Sequence, residues 1–299
     1  MSEKTKNIIG WITYVVSLAL VCFWMYWGIN ETFHEGWYFT SFWRNLLLTF
    51  IQYLSVPCVL IILFMLAMRY KKIGAILFVS AAIFAFFFFS TNSGRVMIAV
   101  PVLLFALGYY FGNFQYKKWM TLILIIVAFL IALSFGIPQY LRVENRYNDF
   151  DFGARIIIGN GVKLVWASQG VGFPLAGGTW QEAADTCAHL NNEGTALEKQ
   201  PINIWRLPTR DELVRSMTRN NLNAGGVPDA SGKAQYKVAP DKETPLWNPN
   251  SQVIYYWTSE SASEETAYFL AYNGGVWERR KDTGAKYQGY RCVKIQHSD

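Results

Sequence analysis

Five long apolar runs fill the first half of the chain, and they constrain its fold more than any other feature. They lie near residues 8–29, 45–68, 73–89, 96–112 and 119–137. Each approaches the roughly 20 residues that an α-helix needs to cross a ~30 Å hydrocarbon core. We therefore expect residues 1–140 to form an all-α membrane domain of five transmembrane helices. The first run is too long for a signal peptide, and further runs follow it.

Basic residues beside these runs predict their orientation. The loops on one side carry seven Lys or Arg residues, whereas the loops on the other side carry Arg44 and Arg95 alone. Because basic loops tend to remain in the cytoplasm, the N-terminus is expected to be cytoplasmic. Five crossings of a plasma (inner) membrane then place everything after Ile137 outside, as a periplasmic or extracellular domain.

The net charge of +6 belongs to the apolar half of the chain. Residues 1–140 hold nine of the 27 basic residues and three of the 21 acidic residues, so 18 of each remain in the second half and cancel. A nucleic-acid partner is therefore not expected, since recognition of nucleic acid usually needs a basic face. The expected partner of the basic half is the lipid bilayer.

The second half has the pattern of an α+β domain over residues 153–299, after a linker at 141–152. Two β-rich runs flank a Gly-Asn-Gly turn in "RIIIGNGVKLVWA". Two helices are expected after the capping boxes of Thr179 with Glu182 and of Thr209 with Glu212. Four further runs, "VIYYWTSE", "TAYFLAYN", "GVWERR" and "YQGYRCVKI", predict a mostly antiparallel sheet with a tight turn at Asn273-Gly274.

Cys187 and Cys292 are the two cysteines of this second half. An even pair outside the cytoplasm favours a disulfide, and two cysteines alone cannot make a four-ligand zinc site. The alternative is a pair of unbonded core cysteines. Cys22 and Cys58 lie within apolar runs, where a thiol behaves as a small apolar side chain.

Four blocks of the second half resemble the Lcl C-terminal domain family, a domain of unknown function common in bacterial surface proteins. The blocks are "TWQEAADTCAHL", "WRLPTRDEL", "YWTSES" and "GYRCVK", in family order. The resemblance covers about residues 153–296, and the family is similar to formylglycine-generating-enzyme and C-type-lectin folds. It implies a C-type-lectin-like fold in which Cys187 on the first helix pairs with Cys292 in the last strand.

No catalytic residue, metal or cofactor is expected. Formylglycine-generating relatives need a reactive cysteine pair, whereas the pair here matches a structural one. Iron-dependent relatives use a histidine cluster, but this half contains only His189 and His297. The "LWNPN" segment lacks the acidic residue of a lectin calcium loop, and the acidic residues nearby lack the spacing of a calcium site.

The first candidates for ligand binding are Trp247 and Asn248. They stand at the end of segment 220–251, which is too long for an ordinary connection and is therefore expected to be functional or disordered. This segment occupies the place of the long ligand-binding loop in lectin-like relatives.

The second candidates are Trp277 and Arg279. Strand alternation predicts that they share one face, with Glu278 and Arg280 on the other. Together they would stack on a sugar or clamp an anion. The alternative places Trp277 in the core and leaves the arginines as a solvated edge that discourages aggregation.

His34 lies between Glu31 and Glu35 in the first outer loop. A metal or proton site is one interpretation, because nearby acids tune the pKa of a histidine. An ordered interfacial loop is the favoured one. The apolar runs hold almost no ionisable residues, which disfavours transport.

The leading hypothesis is a non-enzymatic bacterial membrane protein whose outer domain binds a glycan, an envelope polymer or a protein partner. The alternatives are an extracytoplasmic enzyme on a formylglycine-generating-enzyme-like fold and a membrane sensor or defence component. A homo-oligomer is compatible with each of them.

Overall fold

The computed structural model describes residues 1–88, 90–229 and 233–296. Phe89 of the third predicted span, residues 230–232 of segment 220–251, and His297 lie outside the described residues. The chain divides into two compact units. The helical unit comprises Met1–Phe33 and Trp43–Leu141, and the sheet unit comprises His34–Phe42 and Arg142–Asp299.

The first 144 residues are helical apart from short connections. The helices are α1 (Glu3–Glu31), α2 (Phe42–Leu48), α3 (Ser55–Arg69), α4 (Lys71–Phe88), α5 (Asn92–Phe111) and α6 (Lys117–Glu144), with π-helical turns at Thr32–Gly36 and Thr49–Tyr53. Ser2 caps α1 through its side chain, which accepts a hydrogen bond from the Thr5 backbone N–H. Pro57 occupies the first turn of α3, where a missing N–H breaks no helical hydrogen bond.

Three helical segments of the described chain are long and apolar enough to cross a membrane: Glu3–Gly36, Lys71–Phe88 and Lys117–Glu144. The second predicted run is instead broken, because Phe42–Tyr53 and Ser55–Arg69 meet at a bend of 57° and qualify only as a pair. The fourth run forms a shorter apolar helix, Arg95–Phe111. Helices of this kind indicate a membrane protein. They support three spans, or four with the bent pair, and five spans remain a prediction.

Aromatic stacking and close helix approach hold the helical unit together. Tyr109 is fully buried and stacks on Phe64, Phe78 and Phe114, and its hydroxyl lies 2.8 Å from the Ser17 hydroxyl. A Cβ at Gly74 would lie 2.4 Å from the Cα of Ala67. Small residues that allow such close approach are typical of helices packed within a membrane.

The sheet unit contains two main sheets. One has the order β1-β2-β11, with β1 at Arg155–Ile158, β2 at Lys163–Trp166 and β11 at Val293–Ile295. The other has the order β10-β7-β8-β9, with β7 at Tyr255–Ser261, β8 at Thr266–Ala271, β9 at Val276–Arg280 and β10 at Gln288–Gly289. The predicted β1–β2 hairpin is confirmed. So is the turn between β8 and β9, where Gly274 has a φ of +88°.

Two helices pack with these sheets, as predicted. They are α7 (Trp180–His189) and α8 (Arg210–Ser216), and each begins with the capping box expected from the sequence. Cys187 on α7 and Cys292 before β11 form a disulfide, and both residues are fully buried. Between α8 and β7 lie the short strands β3 (Thr218–Arg219), β4 (Leu222–Asn223), β5 (Val227–Pro228) and β6 (Ala234–Gln235).

The last predicted strand is two strands in the structure. β10 pairs parallel with β7, whereas β11 pairs antiparallel with β2 in the other sheet. The buried Arg291 lies between them, and its guanidinium donates to the carbonyl oxygens of Ala167, Pro245 and Leu246. The prediction of one continuous strand was wrong because this side chain turns into the interior, and the chain changes sheets at that point.

Segment 220–251 is partly buried near its end. Asp241, 1% exposed, accepts charged hydrogen bonds from Arg142, Arg146 and Arg219. Burial alone would raise the pKa of this carboxyl, but Arg146 and Arg142 hold the pKa below its usual value. The end of the segment is therefore anchored by buried ion pairs.

Candidate ligand-binding site

Trp277 differs from most tryptophans of the sheet unit in its exposure. Trp166, Trp205, Trp247 and Trp257 are buried, whereas Trp277 on β9 is 64% exposed. Among the described residues, the indole of Trp277 has no ring-stacking or hydrogen-bond partner. Its indole therefore offers both an aromatic face and an N–H donor to a ligand.

Strand register explains which side chains surround Trp277. In the pairing of β8 with β9, Phe269 lies opposite Trp277 and Ala267 lies opposite Arg279. In the pairing of β7 with β8, Tyr255 lies opposite Ala271. Because alternate residues of a strand share a face, this register agrees with the predicted placement of Trp277 and Arg279 side by side.

The guanidinium of Arg279 lies within a cage of three aromatic rings. Its central carbon is 4.8 Å from the ring centroid of Phe269, 4.9 Å from that of Tyr255 and 5.4 Å from that of Tyr287. Its NH1 group donates to Oε1 of the buried Gln288 at 3.0 Å. Cation–π contacts stabilise a guanidinium by about 0.5–2 kcal/mol, depending on its exposure. The charge of Arg279 is thus engaged by partners within the protein.

His34 reaches two tyrosine hydroxyls of this unit. Its Nε2 lies 3.0 Å from the Tyr255 hydroxyl, and its Nδ1 lies 3.3 Å from the Tyr272 hydroxyl. The Tyr255 hydroxyl donates to Oε1 of Glu35 at 3.4 Å. Both ring nitrogens of His34 are therefore engaged.

These side chains border an open pocket of about 440 Å³. Small-molecule sites commonly have volumes of roughly 300–1,000 Å³. The pocket is lined by His34, Tyr255, Phe269, Ala271, Asn273, Trp277, Glu278 and Arg279. Aromatic walls with a few polar groups at the rim are the usual composition of a site for an organic ligand.

The structure brings together two of the four predicted ligand-binding residues. Trp277 and Arg279 line the pocket, whereas Trp247 and Asn248 do not. Trp247 is 1% exposed and stacks on Tyr256 with ring centroids 3.8 Å apart. Asn248 is also buried, and its side-chain amide donates to Oε1 of Gln169 at 2.7 Å. Neither side chain presents a free surface to a ligand in this conformation.

Sequence reasoning did not assign His34, Tyr255 and Phe269 to a common site. The alternation of β7 and β8 indicated which of their side chains share a face, but the register with β9 was needed to place Tyr255 and Phe269 beside Trp277. His34 precedes Tyr255 by 221 positions, and no local sequence pattern predicts a contact over that separation.

The described ranges contain no group of three or more His, Cys, Asp or Glu side chains placed to hold a metal ion. The groups that the pocket offers are aromatic rings, the Asn273 amide and the guanidinium of Arg279 within its aromatic cage. These groups suit binding by stacking and hydrogen bonding.

Residues 156–294 match the family model of the Lcl C-terminal domain. This match confirms the resemblance carried by the four sequence blocks. The disulfide, the two capped helices and the pocket-lining strands lie inside the matched range, whereas His34 and Glu35 precede it. No curated protein and no solved structure gives a significant match to the chain.

Proposed function

We propose that this chain, which carries an Lcl C-terminal domain at residues 156–294, is a multi-pass protein of a bacterial plasma (inner) membrane that displays this domain outside the cytoplasm to bind a ligand. The ligand is a glycan, an envelope polymer or a protein partner that occupies the pocket beside Trp277. The N-terminus is cytoplasmic, and the domain has a C-type-lectin-like fold.

The exposed indole of Trp277 is the observation that carries the binding proposal. Trp277 is 64% exposed in a unit that buries most of its other tryptophans, and it lines a pocket. Rigid aromatic side chains give a large contact area with little loss of conformational entropy. The pocket beside Trp277 supplies the polar groups that orient a ligand on it.

Two independent features support an outer location for the sheet unit. Seven basic residues flank one side of the apolar runs and two flank the other, which favours a cytoplasmic N-terminus. The Cys187–Cys292 disulfide is of a kind that persists mainly in oxidising compartments.

His34 and Glu35 form a polar group beside the pocket. Both nitrogens of His34 contact tyrosine hydroxyls, and Glu35 accepts a hydrogen bond from one of those tyrosines. In the proposed function, these contacts hold the Tyr255 ring in place at the pocket.

The test uses the full chain in lipid nanodiscs, presented to a glycan array and to purified peptidoglycan sacculi. We expect Trp277→Ala to weaken binding about tenfold or more, as for a central contact residue. Leu222→Ala is the matched control, because Leu222 is 72% exposed in the same unit and lies away from the pocket. Binding that survives in Trp277→Ala with an unchanged melting temperature would contradict the site assignment.

A further inference from the structure

We infer that a second pocket of the sheet unit holds the headgroup of a zwitterionic phospholipid, with the lipid ammonium group at Glu144 and the lipid phosphate at Arg146. This pocket has a volume of about 330 Å³, and its lining comes from residues 37–40, 143–150 and 249–250. All of these residues belong to the sheet unit. The pocket is distinct from the one beside Trp277, so its function would be additional to the proposed one.

The connectivity of the chain places this pocket at the edge of the membrane. Residues 37–41 connect the apolar segment Glu3–Gly36 to the bent apolar helix pair that begins at Phe42. An extended chain spans at most about 3.6 Å per residue, so this short connection stays near the bilayer surface. Because residues 37–40 line the pocket, the pocket lies within reach of the lipid headgroups.

Aromatic side chains of the pocket agree with this position. Trp37, Tyr38 and Phe39 line it, and tryptophan and tyrosine are enriched where transmembrane helices meet the headgroup layer. Phe150 also lines the pocket and is 76% exposed, although it follows the end of α6 at Glu144 by only six residues. The boundary between headgroups and acyl chains stabilises exposed apolar rings of this kind.

Charged groups of both signs select the type of headgroup. Glu144 is exposed, and its carboxylate has no hydrogen-bond or ion-pair partner among the described residues. Arg146 directs Nε and Nη2 to Asp241, which leaves its Nη1 for a ligand. A zwitterionic headgroup satisfies both, because its ammonium pairs with the carboxylate and its phosphate pairs with the guanidinium. A headgroup that carries only a phosphate would leave Glu144 unpaired.

Two side-chain amides add donors for the phosphate. Oδ1 of Asn148 accepts from the Phe150 backbone N–H at 2.9 Å, and its NH₂ group has no partner in the described part of the chain. Asn250 is exposed, and its side-chain amide likewise has no partner there. Phosphate oxygens are strong acceptors, so they can take hydrogen bonds from Arg146 and from these amides together.

The test measures binding of single lipids to the detergent-solubilised full chain by native mass spectrometry. Phosphatidylethanolamine and phosphatidylglycerol with identical acyl chains are compared, because only the first carries an ammonium group. We expect phosphatidylethanolamine to bind about threefold more tightly, the ratio expected for one exposed ion pair.

Two variants test the two ends of the headgroup separately. Glu144→Gln should weaken phosphatidylethanolamine about threefold and should not weaken phosphatidylglycerol, because only the ammonium group loses its partner. Asn250→Ala should weaken both lipids, because both carry the phosphate. Glu193→Gln is the matched control, since Glu193 is an exposed glutamate that does not line the pocket.

Three results would overturn this assignment. Phosphatidylglycerol that binds as tightly as phosphatidylethanolamine would exclude selection of a zwitterionic headgroup. An equal response of phosphatidylethanolamine binding to Glu144→Gln and to Glu193→Gln would place the lipid elsewhere. Binding of free phosphoethanolamine without binding of the lipid would exclude a bilayer lipid as the source. None of these results depends on Trp277, so the proposed function is tested separately.

Discussion

The two units of the chain differ in how many of their large apolar side chains they leave exposed. The helical unit leaves many of them exposed, including Phe87 and Met97 at 78% each, whereas the sheet unit buries Trp166, Trp205 and Trp257. Exposed apolar area costs about 25 cal/mol per Å² in water, a cost that surrounding hydrocarbon removes. Exposure is therefore ordinary in a unit that faces lipid. In the sheet unit most tryptophans are buried, so the exposed Trp277 beside a pocket is an exception there.

The units also differ in what holds them together. The helical unit relies on stacked rings and on close approach at small residues. The sheet unit adds the Cys187–Cys292 disulfide and the buried ion pairs of Asp241. Substitutions at these residues should therefore lower the stability of the sheet unit and leave that of the helical unit unchanged.

The largest expected effect is loss of the disulfide. Cys187 and Cys292 are 105 positions apart, and a loop of about 100 residues corresponds to roughly 4–5 kcal/mol of stabilisation in the chain-entropy model. Replacing both with Ala should lower the free energy of unfolding of the sheet unit by about that amount, as measured by chemical denaturation in nanodiscs. Replacing Cys22 and Cys58 with Ala is the control and should leave the sheet unit unchanged. If the Cys22 and Cys58 replacements lowered the stability of the sheet unit as much as the Cys187 and Cys292 replacements, the division into two units would be contradicted.

Two tryptophans of the sheet unit should respond differently to truncation. Trp247→Ala opens a cavity beside Tyr256 and should destabilise the unit by about 3–5 kcal/mol. Trp277→Ala should change stability by no more than about 0.5 kcal/mol, as expected for a surface position. Thermal melts of both variants check this contrast. A comparable loss of stability in Trp277→Ala would place that residue among the core tryptophans and remove it from the site.

Local signals in the sequence were enough to predict several elements of the sheet unit. The capping boxes at Thr179 and Thr209 act within one helical turn, and the Gly-Asn-Gly turn acts within one hairpin, so the sequence alone predicts them. The disulfide was predictable because only two cysteines occur in this half.

The remaining features depend on long-range packing. The division of the last strand follows from where Arg291 finds its carbonyl partners, and these lie 45, 46 and 124 positions away. The burial of Trp247 follows from its stacking on Tyr256. His34 contacts Tyr255 and Tyr272 across more than 200 positions. Hydrophobic periodicity describes neighbours along the chain and so predicts none of these contacts.

The next largest loss of stability is expected on replacement of the buried Asp241. Asp241→Asn leaves Arg142, Arg146 and Arg219 without this countercharge and should cost about 3 kcal/mol, as when one partner of a buried ion pair is removed. Chemical denaturation at neutral pH measures the loss. Asp282→Asn is the control, because its pair with Arg280 is exposed and should contribute little.

The lowered pKa of Asp241 predicts how the stability of the chain changes with pH. The pKa of Asp241 is lower in the folded chain than in an unfolded one. Its stabilising contribution is therefore complete above the unfolded value of about 4 and is lost as the pH falls through the folded value. Stability of the unaltered chain should decline over this acidic range more steeply than that of Asp241→Asn. If the curves of stability against pH were parallel for the unaltered chain and for Asp241→Asn, Asp241 would not be the titrating group.

The smallest expected effect concerns the position of the Trp277 ring. A Cβ on Gly275 would lie 2.6 Å from Nε1 of Trp277, so Gly275→Ala must displace the indole. We expect binding to weaken by about 1 kcal/mol, roughly fivefold, with little change in melting temperature. Gly284→Ala is the matched control, since its nearest neighbour is Cγ2 of Thr179 at 3.4 Å. Unchanged binding in Gly275→Ala would mean that the ligand does not stack on this ring.

Labelling in intact cells tests the central claim, display of the sheet unit outside the cytoplasm, most directly. In a chain with Cys22 and Cys58 replaced by Ala, a single cysteine is introduced as Leu222→Cys or as Lys72→Cys, both at exposed positions. A membrane-impermeant maleimide should label the first variant in intact cells and the second only after the membrane is permeabilised. Labelling of Lys72→Cys but not of Leu222→Cys in intact cells would contradict both the orientation and the oxidising location of the disulfide.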